Sequence, residues 1–298
     1  MEPAASGEFA RRSVPRATDG QPGRAPIIRA VSADRLARVG TPTQEASATD
    51  AQHRDDWEQL GRTDPLWAVL SDPAKRHRRW DTGEFFATGE EEVARLMRII
   101  DRLGHPLERR TALDFGAGVG RISRALASRF ESVLGVDVSR PMVEQAREHC
   151  AAQSNVTFAV AASTTLTDLP AGGFDLVYSR WVLQHLPSHA RLRETLGGLA
   201  RVVGRGGLLV VQVPGRIPIR NWIQPRRRAY ALLRRLGVPS QLLLGQLGLS
   251  PIRMIGIGQP DARDILDAAG LIVLEVHADV IGGSSIDSFT FYATPKSR

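Results

Sequence analysis

Leu113-Asp114-Phe115-Gly116-Ala117-Gly118-Val119-Gly120-Arg121 decides the reading of this 298-residue chain. Ala112–Phe115 reads as a short buried strand. The glycines after it let the backbone turn tightly and approach a ligand closely. Val119, Ile122, Leu126 and Phe130 follow at helical spacing, which places a helix N-terminus just beyond the turn. The next strand, Ser132–Val136, leads into Asp137, 19 residues after Gly118. An acid at that offset sits at the tip of the neighbouring strand and can accept both hydroxyls of a ribose. Two pieces at this spacing point to an adenosine-type cofactor.

Working outward, short apolar strands alternate with amphipathic helices. Helix Pro141–Ala151 follows the second strand, with Pro141 suited to a first helical turn. Strands Val156–Val160 and Phe174–Tyr178, helix Ser188–Val202 and strand Gly207–Val213 come next. Helix Asp261–Ala269, stopped by Gly270, leads to strands Leu271–His277 and Ser288–Ala293. Upstream, Val93, Leu96, Met97, Ile100 and Leu103 predict a helix over Gly89–Leu103. The alternation predicts an α/β fold around a parallel sheet covered on both faces.

Two stretches stand apart. Residues 1–50 are rich in small residues, Pro and Arg, show no sustained period, and are expected to be a disordered extension. Residues 51–298 form the domain, in which 51–104 is a helical cover carrying Trp57, Trp67, Trp80, Phe85 and Phe86. Over forty residues then separate strand Gly207–Val213 from helix Asp261–Ala269, far more than an ordinary connection. This insertion, 214–259, is expected to hold two helices, around Arg226–Leu236 and Gln241–Leu249, and to act as an acceptor lid.

Composition narrows the function classes. A single cysteine excludes a disulfide framework and a Cys-built zinc site. No apolar run approaches the roughly 20 residues of a membrane span, and no export signal follows the start, so a soluble cytoplasmic protein is expected. The net charge of +7 is unevenly spread: ten Arg and no acid lie between Glu194 and Asp261, so the remainder nets −3. That basic, apolar insertion suits an anionic or amphiphilic small-molecule acceptor and allows peripheral membrane contact. No metal site is expected; His185 and His189 are the nearest approach to ligand spacing and lack an accompanying acid.

In the glycine turn, Arg121 stands where a dinucleotide fingerprint has its third glycine, and Asp114 would repel a pyrophosphate but suit an ammonium or sulfonium. A nicotinamide dehydrogenase is thereby excluded. With D-F-G-A-G-V-G-R, the V-D-V-S after the second strand, and F-D-L-V-Y-S-R-W-V-L-Q-H-L-P at 174–187, the chain resembles the class I S-adenosylmethionine-dependent methyltransferases. The resemblance covers 85–213 and 260–293. It implies a Rossmann-like, doubly wound, mostly parallel seven-stranded sheet with a C-terminal antiparallel strand, and S-adenosylmethionine as cofactor. It also implies that Asp114 and the backbone of Gly116, Ala117 and Gly118 face the methionine end, with Arg121 toward the carboxylate. Asp137 would hold the ribose, Val138 and Met142 would flank the adenine, and Ser179 and Arg180 would line the wall near the sulfonium. After the third strand the family's Gly-Asp is replaced by Ala161-Ala162-Ser163, and Ser163 is the candidate substitute.

Absent motifs shape the acceptor. No Asn/Asp-Pro-Pro-aromatic segment follows the fourth strand, and Cys150 closes a helix, where a packing role is expected rather than a nucleophile. Asp175 lies at the wrong end of its strand for metal-dependent chemistry. The expectation is O-methylation of a small-molecule hydroxyl on a sugar, glycolipid or polyketide-like acceptor, with His185 as candidate general base. The alternative is an RNA-associated methyltransferase, or an RNA binder using the basic lobe; nucleic acid ranks lower because aromatic stacking platforms are sparse.

Overall fold

The computed structural model describes residues 48–161, 165–215, 217, 223–252, 254–280 and 287–296. Seven strands form one sheet: β1 (Thr111–Phe115), β2 (Ser132–Asp137), β3 (Val156–Val160), β4 (Phe174–Ser179), β5 (Val203–Pro214), β6 (Leu271–Val280) and β7 (Asp287–Pro295). Their order is β3-β2-β1-β4-β5-β7-β6. The first five are parallel, and β7 runs antiparallel between β5 and β6. The expected Rossmann-like sheet, antiparallel closing strand included, is therefore what forms.

Nine helices are described: α1 (Ala48–Thr63), α2 (Pro65–Val69), α3 (Thr82–Leu103), α4 (Arg121–Leu126), α5 (Arg140–His149), α6 (His189–Val202), α7 (Pro225–Arg235), α8 (Ser240–Gly245) and α9 (Gln259–Ala268). Strand alternation divides the core. Ala112, Val133, Leu176, Leu208 and Val210 meet Val93, Leu96, Met97 and Ile100 of α3 and Ile122 of α4 on one face. Leu113, Leu134, Val177, Leu209 and Val211 meet Leu192, Leu196 and Leu199 of α6 and Leu266 of α9 on the other.

Helix α3 begins seven residues before the expected Gly89. Asp81 caps it, accepting from the Glu84 amide at 2.8 Å. Gly89, which weakens a helix on propensity, is here a contact point: a Cβ would stand 2.4 Å from the Arg121 carbonyl oxygen, so glycine lets α3 press against the start of α4.

Helices α7 and α8 lie in the insertion, close to their expected positions, although α8 ends at Gly245 rather than Leu249. The insertion packs on α1. Tyr230, Leu243 and Leu244 join Leu60, Phe85, Phe86 and Met142 in one apolar cluster, and Ser240 donates to Gln59. Residues 1–47, Ser163, Arg216, Arg220, Trp222 and Arg253 lie outside the described residues. Among the described residues no helix is long and apolar enough to cross a membrane.

Candidate active site

Chain connections run from β1 toward β3 on one side and from β4 toward β6 on the other. The sheet thus has its switch point between β1 and β4, and a crevice opens at their carboxyl ends. A cleft occupies that place, with about 910 Å³ of space between protein atoms, mouth included.

The glycine turn forms its floor. Gly116 has φ +81°, and the amides of Gly116 and Ala117 both donate to the Val136 carbonyl of β2, at 2.8 and 3.1 Å. A Cβ on Gly116 would stand 2.1 Å from Val182 Cγ2, and one on Gly118 2.6 Å from Val69 Cγ2. Val182 from the β4–α6 loop and Val69 from α2 therefore press on the turn at these two positions, where only glycine fits.

Asp137, at the end of β2, accepts from the Gly118 amide at 2.8 Å and the Ser139 amide at 2.9 Å. Burial raises its pKa above the ordinary carboxylate value, against those amide bonds. The carboxylate is thus tied to the turn and to α5 while still lining the cleft. Asp114 is also buried there and accepts from Ser123 Oγ at 2.6 Å. Burial pushes its pKa up to about 6, with the Ser123 hydroxyl and Arg121 acting in the other direction.

One wall is an ionic network that sequence reading did not anticipate. Glu92 of α3 pairs with Arg121 at 2.8 Å and with Arg180 at 3.5 Å, and accepts the Tyr178 hydroxyl. Arg180 also pairs with Asp279 of β6 at 3.1 Å. Burial favours a neutral Glu92, yet the two guanidinium groups and the tyrosine outweigh it and hold its carboxyl below the usual range. Both arginines line the cleft. Arg121 is only 4% exposed, so it does not face solvent as an ordinary helix Arg would. The Nε atoms of both Arg121 and Arg180 are buried without a hydrogen-bond partner. Native proteins rarely leave such donors orphaned, and both lie within guanidinium groups whose residues line the cleft.

The opposite wall comes from α1. Arg54 donates to the Val138 and Ala161 carbonyls at 3.3 and 3.2 Å, bridging the ends of β2 and β3. Trp57 lines the cleft with its ring edge toward His185, centroids 5.3 Å apart. His53 accepts from Trp57 Nε1 at 3.1 Å and also lines the cleft. Trp181, beneath the Arg180 guanidinium, holds a left-handed φ of +63°, and its amide donates to Gln212 at 2.9 Å. A tryptophan in that conformation is strained and persists only where surroundings enforce it.

The cleft brings together Asp114, Gly116, Ala117, Gly118, Arg121, Asp137, Val138, Met142, Arg180 and His185 from the sequence-based set. Ser179 is not among its lining residues: alternation along β4 sends Tyr178 and Arg180 to one face and buries Ser179 behind them. Ser163 lies outside the described residues. Phe85 and Phe86 are buried in the cluster beneath the cover rather than at the cleft. Cys150 packs against Ala146 and Phe158, and burial raises its thiol pKa to about 11. Asp175 sits at the start of β4, accepting from the Arg110 and Thr111 amides. Among the described residues, no three His, Cys, Asp or Glu side chains converge as a metal site.

These residues suit the cofactor that the resemblance implies. A guanidinium lining the cleft beside the turn suits its carboxylate, a buried acid its ammonium, and a tethered carboxylate at the tip of β2 its ribose.

Comparison with known proteins agrees. Residues 113–211 match a family model described as a methyltransferase domain. A trans-aconitate 2-methyltransferase of Methylobacterium radiotolerans is 36% identical over 196 residues, 62% of this chain and 70% of that protein. A ubiquinone biosynthesis O-methyltransferase of Methylococcus capsulatus is 29% identical over 159 residues, 53% of this chain and 61% of that one. Among solved structures, magnesium protoporphyrin IX methyltransferase from Synechocystis, with bound S-adenosylhomocysteine, superposes with TM-score 0.55. Its identity is 20%, and the match covers 83% of this chain and 100% of that one.

Proposed function

The chain belongs to the class I S-adenosylmethionine-dependent methyltransferases, and we propose that it methylates an oxygen of a small, negatively charged acceptor held by Arg180. The observation that carries this reading is the presence of two guanidinium residues, Arg121 and Arg180, on the cleft wall. The cofactor has one carboxylate. Arg121, next to the glycine turn and to Asp114, is placed for that group. Arg180 at the end of β4 is then left for an acidic group of the acceptor.

In this reading Asp137 accepts the ribose hydroxyls and Asp114 faces the ammonium. Val138, Met142 and Ala161 flank the adenine, and Arg54 holds the Val138 and Ala161 loops together where the family's acid after β3 is missing. S-adenosylmethionine supplies a methyl carbon on a sulfonium, an electrophile whose leaving group departs neutral. The protein's part is alignment of the acceptor oxygen and, for a hydroxyl, removal of its proton. His185 is the base for that step, on the turn Leu183–His185 with its ring against Trp57. Val69, Val182 and Trp57 exclude water from the turn.

His185 favours a hydroxyl, on a sugar, glycolipid or polyketide-like acid. A carboxylate acceptor, which needs no base, is the second reading; Arg180 and the likeness to a protein named for trans-aconitate, itself an acid, favour it.

The experiment is to incubate the protein with methyl-labelled cofactor and cell extract, fractionate the labelled products by charge, and treat them with mild alkali. Acidic products whose label survives alkali are expected for a methylated hydroxyl. Label released as methanol marks an ester and replaces the first reading with the second. Alkali-stable label on neutral molecules, or label on RNA, overturns both. An Asp137→Ala protein, which should lose S-adenosylhomocysteine binding, is the control.

A further inference from the structure

We infer that the outer face of α7 and the segment after it form a docking surface for a lipid bilayer carrying anionic headgroups. Tyr230 and Leu233 turn toward α1 and α8, so the opposite side of α7 faces outward. That side carries Arg228, Leu232, Arg235 and Leu236 at helical spacing, with Leu232 60% and Leu236 71% exposed. Ile223, Leu242 and Leu247 add exposed apolar surface close by along the chain. Among the described residues, five of the seven exposed large hydrophobic side chains thus fall within 25 residues; the other two, Ile272 and Leu274, lie on edge strand β6.

Within the segment the charge has one sign, since no acid occurs from 195 to 260. Asp55 and Asp56 of α1 share a hollow with Arg227, Arg234 and Arg235, whereas Arg228 lies on the outward side away from them. A merely solvated face would carry the arginines without the leucines. A face covered by another part of this chain would carry the leucines without the arginines. An RNA-binding face gains from aromatic platforms, and the one aromatic described in this segment, Tyr230, is turned inward. Leucines among arginines match the headgroup boundary of a bilayer, where aliphatic tips reach the acyl chains and guanidinium groups meet phosphates.

The placement has a consequence for the site. The insertion leaves at the carboxyl end of β5 and returns beside it: the Ile257 amide donates to Pro214 and the Ile255 amide to Gln184. That is the edge of the sheet on which the cleft opens. Docking would hold the cleft end of the molecule near the membrane. The surface is independent of the acceptor assignment and stands or falls separately from it.

The test is co-sedimentation of the full chain with vesicles of phosphatidylcholine alone and of phosphatidylcholine mixed with phosphatidylglycerol, at low and high salt. Binding to the mixed vesicles at low salt, lost at high salt and absent with phosphatidylcholine alone, is expected. Leu232→Ser with Leu236→Ser should weaken it on the order of tenfold, with S-adenosylhomocysteine affinity and Tm unchanged. Arg228→Gln with Arg235→Gln should weaken it similarly and flatten the salt dependence. No binding to anionic vesicles overturns the inference. So does vesicle binding indifferent to the leucine pair, or tight binding of single-stranded RNA with no vesicle binding.

Discussion

At the cleft wall two guanidinium groups, Arg121 and Arg180, share the carboxylates of Glu92 and Asp279, whereas the outward side of α7 exposes Arg228 and Arg235 in a segment with no acid from 195 to 260. The side chain is the same and its surroundings are opposite. Inside, a charge removed from water must be matched, so α3, α4, β4 and β6 each contribute one member and the geometry is fixed by mutual contact. Outside, water solvates each group, no partner is required, and the charges add into a field that acts on whatever approaches. The buried set controls orientation over a few ångströms; the exposed set controls attraction over a Debye length.

The largest test of this contrast is Glu92→Ala. It would leave the buried Arg121 guanidinium without its acid and the partly buried Arg180 with Asp279 alone. A loss of about 3–5 kcal/mol in unfolding free energy is expected by chemical denaturation. The loss should be nearly independent of salt. A loss under about 1 kcal/mol would mean that the inner arginines are solvated like the outer ones, and the contrast would fail.

Next in size is Arg180→Gln. One charge-assisted contact to an acidic acceptor is removed, so kcat/KM should fall about 10- to 100-fold. S-adenosylhomocysteine affinity, read by calorimetry, should change little. Arg121→Gln should show the reverse emphasis and weaken S-adenosylhomocysteine. Equal effects of both substitutions on the cofactor product would merge the two positions into one subsite.

How much of this was legible from the sequence depends on the range of the contacts involved. The glycine turn, Asp137 and the order of strands are local patterns, and period and spacing are enough to read them. The parity of β4 was readable too: placing both Ser179 and Arg180 on the wall ignored the alternation of a strand. Glu92 was hidden because Glu90-Glu91-Glu92 looks like a solvated helix face, and only the position of Arg121 makes the third of them buried. The α1 wall was hidden by distance along the chain. Arg54 meets residues 84 and 107 positions away, and the tryptophans signalled only that this region packs on something. The insertion was expected over the acceptor. Its described residues instead pack on α1, and none of them lines the cleft.

Asp114 sharpens the comparison from a third side, as a buried acid whose nearest hydrogen-bond donor is a neutral hydroxyl. Its pKa is about 6 in the folded protein against an ordinary 3.8. The folded state therefore holds its proton more tightly than the unfolded state. Its contribution to stability is full below pH 3.8 and lost as pH rises through 6. Asp114→Asn should then be more stable than the parent above pH 6 in the absence of cofactor. Binding runs the other way, because the ammonium of the cofactor wants the ionised carboxylate. S-adenosylhomocysteine affinity should fall about tenfold between pH 7 and pH 5, with proton release on binding near pH 6. A flat affinity over that range would remove Asp114 from the cofactor's ammonium.

The smallest expected effect belongs to the outer arginines, and its smallness is the point. Arg228 and Arg235 are exposed and unpaired among the described residues, so neither holds a partner in place. Exchanging both for Gln should change unfolding free energy by no more than about 0.5 kcal/mol. The sign should be slightly favourable at low salt, because two like charges are removed from an acid-free segment, and the gain should vanish as salt screens the remainder. Denaturation at low and high salt, beside Glu92→Ala under the same conditions, puts the two regions on one scale. A loss above about 1 kcal/mol for the outer pair would show that these arginines hold the fold. The field they project would then be incidental, and the division between inner and outer charge would have to be given up.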